Sequence, residues 1–325
     1  GVQTCALPIC GYVMGVGRSL QRRGLHPTSV VGRCGAAAAA SVLMKLNVQQ
    51  IAYALGVAAT TAGGLVGSFG THGKPFHAGK AAMDGILAAQ LAADGFVGAT
   101  HLYELGELDK TPRPRRAHQA SLLDVFIQNH EVEPLALDFS VWEIMTNAFK
   151  PFASCRATQA STQAARSLAA AVAGRKVVRV HAKVHPNALI TAGKLDPRTP
   201  LEGKFSVPFC IALGLTGHAV VSTDFVEAKM YDARVMDIVP VVQLEAVDGQ
   251  PPHSAHLDVY LADGDHLHGD TDIVTGHPDN PMSWDDLRVK FEGLTVPVIG
   301  AEKARMLFEM ARAFEDGAKI GRAHV

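Results

Sequence analysis

At 325 residues the chain is long enough for about two domains and a large core, and its net charge of −1 excludes both a basic nucleic-acid footprint and an acidic disordered tail. It is 48% hydrophobic and 19% charged, yet no apolar run approaches the roughly 20 residues of a membrane span. Five cysteines without paired spacing point to a reducing cytoplasm, and a small neutral or anionic metabolite is the expected partner rather than nucleic acid or membrane.

The two ends form a pair. Thr4 to Ile9 can be encoded by ACG TGT GCT CTT CCG ATC, whose reverse complement contains ATC GGA AGA GCA CAC GT, and that string reads Ile320 to Val325. Unrelated protein termini have no physical reason to share complementary coding. Residues 1–9 and 320–325 are therefore expected to be translated adapter sequence and are set aside from fold reasoning.

Residues 10–175 read as a helical domain rich in alanine. HPTSVVG, beginning at His26, reads as a small-residue turn leading into the helix CGAAAAASVLMKL. NVQQIAYALGVAATTAGGL reads as a second helix, with Asn47 as cap and Gln50 three residues on as its capping-box partner. The third is GKAAMDGILAAQLAADG, entered at Pro75 and closed by Gly95. TPRPRRAHQ, residues 111–119, is a solvated basic loop.

Near residue 175 the period changes from helical to alternating. KVVRVHAKVHP, VVQLEAV and AHLDVYLADG read as strands around the apolar helix KFSVPFCIALGLTG, so residues 176–277 form a smaller α+β unit. Residues 278–319 return to helix, with Ser283 and Asp286 as a capping box. The expected fold class is mainly α with an α+β second domain: an all-helical bundle plus a smaller α/β lid, followed by a helical return to the first domain.

Candidate chemistry clusters in three places. In GSFGTHGKPFHAGKAAMDG a loose turn delivers Lys74 and His77 to a helix start, where unpaired N–H groups and the dipole favour an anion. It is not a phosphate loop: Ser68 stands where the first glycine should be, and Pro75 replaces the magnesium-binding hydroxyl residue. NAFKPFASCRATQAST repeats the logic with Lys150 and Arg156 before a helix beginning near Ala157, and two such sites would clamp a substrate with two or more carboxylates. Cys155 reads as a buried structural cysteine rather than an activated thiolate. His26 is the third candidate. His266 and His268 share a strand face, but no Cys or third His stands in register for a metal. On the residues alone each cation remains open between ligand and solvated side chain.

The three clusters in this order, HPTSVVG with GAAAAA, then GTHGKPFHAGKAA, then KPFASCRATQ, resemble the MmgE/PrpD family, and the resemblance runs on through KFSVPFCIAL and GHPDNPMSWDDLRVKF. It implies a cytoplasmic homodimer without metal or other cofactor. The implied activity is that of a lyase, dehydratase or decarboxylase, on a small di- or tricarboxylate. Epimerisation by the same α-proton chemistry, or a catalytically incomplete binding fragment, are the alternatives. The resemblance also implies roles: Lys74 and Lys150 for carboxylate binding and charge stabilisation, His26 for proton transfer or orientation, and His77 and Arg156 for substrate binding. Gln159 departs from a histidine common in the third motif, which implies a substrate other than 2-methylcitrate. An aspartate-rich segment with a further active-site histidine would lie before residue 10, so the expectation is an N-terminally truncated chain with little activity of its own.

Overall fold

The computed structural model describes residues 20, 23–102, 122, 125 and 147–313. The expected adapter segments and the basic loop at 111–119 lie outside them. The chain divides into two compact units, Gly1–Thr146 and Asn147–Val325.

Among the described residues the first unit contains the helices α1 (Pro27–Leu43), α2 (Val48–Thr60) and α3 (Gly73–Ala93). PTSVVG, from Pro27 on, is therefore helical rather than a turn. His26 is extended (φ −83°, ψ 109°) and Pro27 opens the helix, where a fixed φ and a missing N–H carry no penalty. The capping box of α2 is present, with Gln50 N–H donating to Asn47 Oδ1 at 2.9 Å and Asn47 N–H to Gln50 Oε1 at 3.0 Å. Gly95 follows α3 at φ +89°, the left-handed exit that glycine adopts without strain.

Small side chains set how closely these helices pack. Ala37, Ala54, Ala58, Ala88, Ala89 and Ala92 are buried between them. A Cβ on Gly32 would touch the Ala81 methyl at 3.5 Å, and one on Gly85 would lie 2.4 Å from the Ala36 methyl. Gly85 therefore has to be glycine for α1 and α3 to approach as they do. The two helices run parallel, since contacts advance together along both.

The second unit carries a four-stranded mixed sheet of order β2-β1-β3-β4. β1 (Val177–Val184) pairs parallel with β2 (Val242–Ala246) and antiparallel with β3 (Ala255–Leu261), which forms a hairpin with β4 (His266–Thr271). Alternation sorts the faces. Val180, Ala182, Val184, Leu257 and Val259 enter the core, while Arg179, His181, Lys183, His256 and Asp258 lie at alternate positions.

Two helices cover the apolar face, α4 (Gln159–Val172) and, after the short α5 (Pro186–Ala192), the fully buried α6 (Val207–Leu215). Phe209, Ile211, Leu213 and Leu215 are almost wholly withdrawn from water, each worth about 1.5–3 kcal/mol by burial. Because α4 packs on β3, β4 and α6, the compact unit starts at Asn147 rather than at residue 176. The final pair, α7 (Trp284–Ile299) and α8 (Ala301–Arg312), starts at the expected Ser283–Asp286 capping box and closes through Phe308 against Trp284 and Phe291. Among the described residues no helix is long and apolar enough to cross a membrane.

Candidate functional site

In the first unit the structure brings together His26, Lys74 and His77. His26 stands at the start of α1 and His77 in the second turn of α3, and their Nδ1 atoms lie 3.1 Å apart. One Nδ1 must carry the proton and the other accept it, so the two rings cannot both be imidazolium in this arrangement. Phe69 makes an edge contact with the His26 ring at 4.9 Å, and Lys74 Nζ sits 4.9 Å from the Phe69 centroid.

This environment acts on His26. Burial above all, then the charge of Lys74 and the neighbouring His77, hold its pKa down to about 4, against an ordinary 6.5. At neutral pH His26 is an uncharged imidazole beside an ammonium group, able to accept a proton or a hydrogen bond. The helix start is less open than its sequence implied. Gly73 N–H donates to Thr71 Oγ1 at 3.0 Å and Lys74 N–H to the Thr71 carbonyl at 3.4 Å, so attraction for an anion there rests mainly on the Lys74 charge and the helix dipole.

In the second unit Lys150 is exposed ahead of Pro151, and its carbonyl accepts from Lys290 Nζ. The preceding Phe149 N–H donates to the Gly276 carbonyl at 2.8 Å, tying this segment to the loop before α7. Arg156 is exposed and opens a single 3-10 turn, with α4 proper starting at Gln159. Two histidines that the motifs did not single out lie in this unit: the rings of His253 and His277 are in contact, tilted by 44° with centroids 4.4 Å apart. Burial first, then His277, with Arg156 adding to it, lowers the His253 pKa. The signal available in the sequence was the His in GHPDNP, which is chemically equal to any other His-Pro turn.

Gln159 turns inward to its own loop. It is buried, its Oε1 accepts the Phe152 N–H at 3.0 Å, and its Nε2 lies within 3.0–3.3 Å of Ser154 Oγ and of the Phe152, Ser154 and Cys155 carbonyls. It staples the loop that follows Lys150. Cys155 is buried, as expected of a structural thiol. His266 and His268 do share a face of β4, where both bond Asp258, at 3.0 and 2.9 Å, and His268 also reaches Asp270. Among the described residues no group of three or more His, Cys, Asp or Glu could hold a metal ion.

Comparison with known proteins matches residues 10–107 to the MmgE/PrpD N-terminal domain and residues 152–316 to the MmgE/PrpD C-terminal domain. Cis-aconitate decarboxylase of Mus musculus is 26% identical over 314 residues, covering 90% of this chain and 59% of that protein. Cis-aconitate decarboxylase of Homo sapiens is 26% identical over 305 residues, covering 90% and 60%. A cis-aconitate decarboxylase-like protein of Aspergillus oryzae is 39% identical over 90 residues, 27% of this chain and 18% of that one. The chain thus spans about three-fifths of the length of the two mammalian relatives it matches. With both domains matched in order along the chain, this protein belongs to the MmgE/PrpD family.

Proposed function

We propose that the protein is a cofactor-independent lyase, a dehydratase or decarboxylase, acting on a small di- or tricarboxylate, with His26, Lys74 and Lys150 as catalytic residues and His77 and Arg156 in substrate binding. The observation that carries this reading is the placement of a buried His26, its Nδ1 3.1 Å from that of His77 and its ring against Phe69, over which Lys74 Nζ lies. The family membership and the cis-aconitate decarboxylase relatives support the reaction class.

The chemistry fits these groups. In a dehydration the C–H bond next to a carboxylate breaks, its electron pair becomes the new C=C bond, and hydroxide leaves and is protonated to water. In a decarboxylation a C–C bond breaks, carbon dioxide leaves, and the pair remaining on carbon takes up a proton. Both build negative charge next to a retained carboxylate, which a fixed ammonium such as Lys74 stabilises. His26, uncharged at pH 7, accepts a proton in the first case; in the second, a bound carboxylate beside the ring raises its pKa, and the imidazolium so formed delivers the proton. His77, hydrogen-bonded at Nδ1, sets which nitrogen of His26 is available. Lys150 and Arg156 supply further cations for carboxylate groups.

The exposed stripe of Phe76, Met83, Ile86 and Leu87 on α3 supports self-association, and a homodimer is proposed, to be read by light scattering. The functional test is binding first, because the resemblance assigns further residues to the catalytic set. Lys74→Ala should weaken polycarboxylate binding by about 1.5–3 kcal/mol, tenfold to a hundredfold, by calorimetry. Product formation and deuterium uptake at the α-carbon are followed alongside. Deuterium uptake without a new product would replace the lyase with an epimerase.

A further inference from the structure

Two turns beyond the His26–His77 contact, α1 and α3 meet again. Arg33 Nε donates to Asp84 Oδ2 at 2.9 Å, and both side chains are buried. The two contacts share one sequence separation, 51 residues, so each turn along α1 is matched by a turn along α3. A buried ion pair is a poor source of stability, since removing two charges from water costs about what their attraction returns. Its value here lies in what else it holds. Arg33 Nη1 donates to the carbonyls of Thr61 and Gly63, and Asp84 Oδ1 accepts from Lys80. The carbonyl of the next residue, Gly64, receives the His26 N–H at 3.0 Å. Gly64 lies at φ +128°, where an added Cβ would sit 2.6 Å from the Ser29 side chain and 3.5 Å from His77 Cε1. The loop gripped by Arg33 is thus wedged between α1 and the His77 ring.

We propose that Arg33 and Asp84 are positioning residues, which fix the 61–64 loop and the register of α1 on α3 and so hold the His26 and His77 nitrogens in hydrogen-bond contact. The geometry stands by itself, and its catalytic meaning rests on reading His26 and His77 as part of the reaction centre. Arginine is needed because a planar fork reaches a carboxylate along one edge and two carbonyls along another, which one ammonium group cannot do.

The test uses Arg33→Lys and Asp84→Asn in the whole chain, with His26 followed by NMR titration and backbone amide exchange. Each variant should keep its circular dichroism, raise the His26 pKa from about 4 by at least about one unit, and speed exchange of the His26 amide about tenfold or more. Asn47→Ala, which removes the α2 cap, should lower stability and leave both readouts unmoved, so a merely structural loss is told apart. Folded variants with unchanged His26 titration and exchange overturn the proposal. If neither variant folds, the unaltered protein decides: a His26 amide as protected as the centre of α1 supports the grip, and one exchanging like an open loop refutes it. None of these readouts needs turnover, so a protein that shows them without binding polycarboxylates refutes the lyase reading alone.

Discussion

Gly85→Ala probes the seam on which the first unit depends. A Cβ there lies 2.4 Å from the Ala36 methyl, 2.6 Å from Ala37 N and 2.7 Å from the Arg33 carbonyl oxygen, where ordinary contact begins at 3.4 Å. The helices must therefore separate by about 1 Å, and two of the three obstructing atoms are helical backbone that cannot rotate aside. Overpacking of this kind costs about 1–3 kcal/mol, against which alanine recovers about 0.5–1 kcal/mol over glycine in a helix interior. The net expectation is a loss of about 0–2.5 kcal/mol. Gly32→Ala is the matched control, because its Cβ meets only the Ala81 methyl at 3.5 Å. It should gain about 0.5–1 kcal/mol. Urea unfolding followed by helical circular dichroism reads both. A Gly85→Ala protein as stable as Gly32→Ala would show that α1 and α3 do not meet at this distance.

Other consequences follow from the same geometry. His26 is held below its unfolded pKa, so as pH falls from about 6.5 the unfolded state takes the proton first; stability tied to neutral His26 is full above 6.5 and declines toward pH 4, and His26→Gln should flatten that slope in pH-dependent urea melts. Lys74→Ala should raise the His26 pKa by NMR titration, because Lys74 is the second cause of its depression. His268 runs the opposite way: its bond to Asp258, then the charge of Asp270, raises its pKa, so its small contribution is present below 6.5 and lost as pH rises through the folded value, and Asp258→Asn should return its titration toward normal. Gln159→Ala should cost about 1–3 kcal/mol in urea unfolding by leaving the buried Phe152 N–H without its acceptor.

Local grammar was legible where it is written in local chemistry. Asn47 with Gln50, Ser283 with Asp286, Gly95 after α3 and the alternation of β1 all appear at the expected positions. The first turns of α1 did not read as helix because Thr28, Val30, Val31 and Gly32 are weak helix formers; packing against α3 overrides that preference. The affiliation of α4 was also hidden. Its small residues resemble those of the first unit, and only the close approach of Ala164 and Leu168 to Gly269 on β4 shows that they serve the sheet. At the site, motif order selected His26, Lys74 and His77 but not their mutual distances. Arg33 and Asp84 carried no signal, since a buried ion pair between helices looks in sequence like two ordinary surface charges.

The central claim is that His26 and Lys74 form part of a polycarboxylate site. The most direct measurement is NMR titration of the chain with cis-aconitate and 2-methylcitrate, following the His26 and His77 ring signals while monitoring the acids for loss. The account predicts saturable shifts of both rings with at least one acid, a His26 pKa raised by the bound anion, and affinity reduced about tenfold to a hundredfold in Lys74→Ala. Rings that respond to neither acid, or equal affinity in Lys74→Ala, would contradict it.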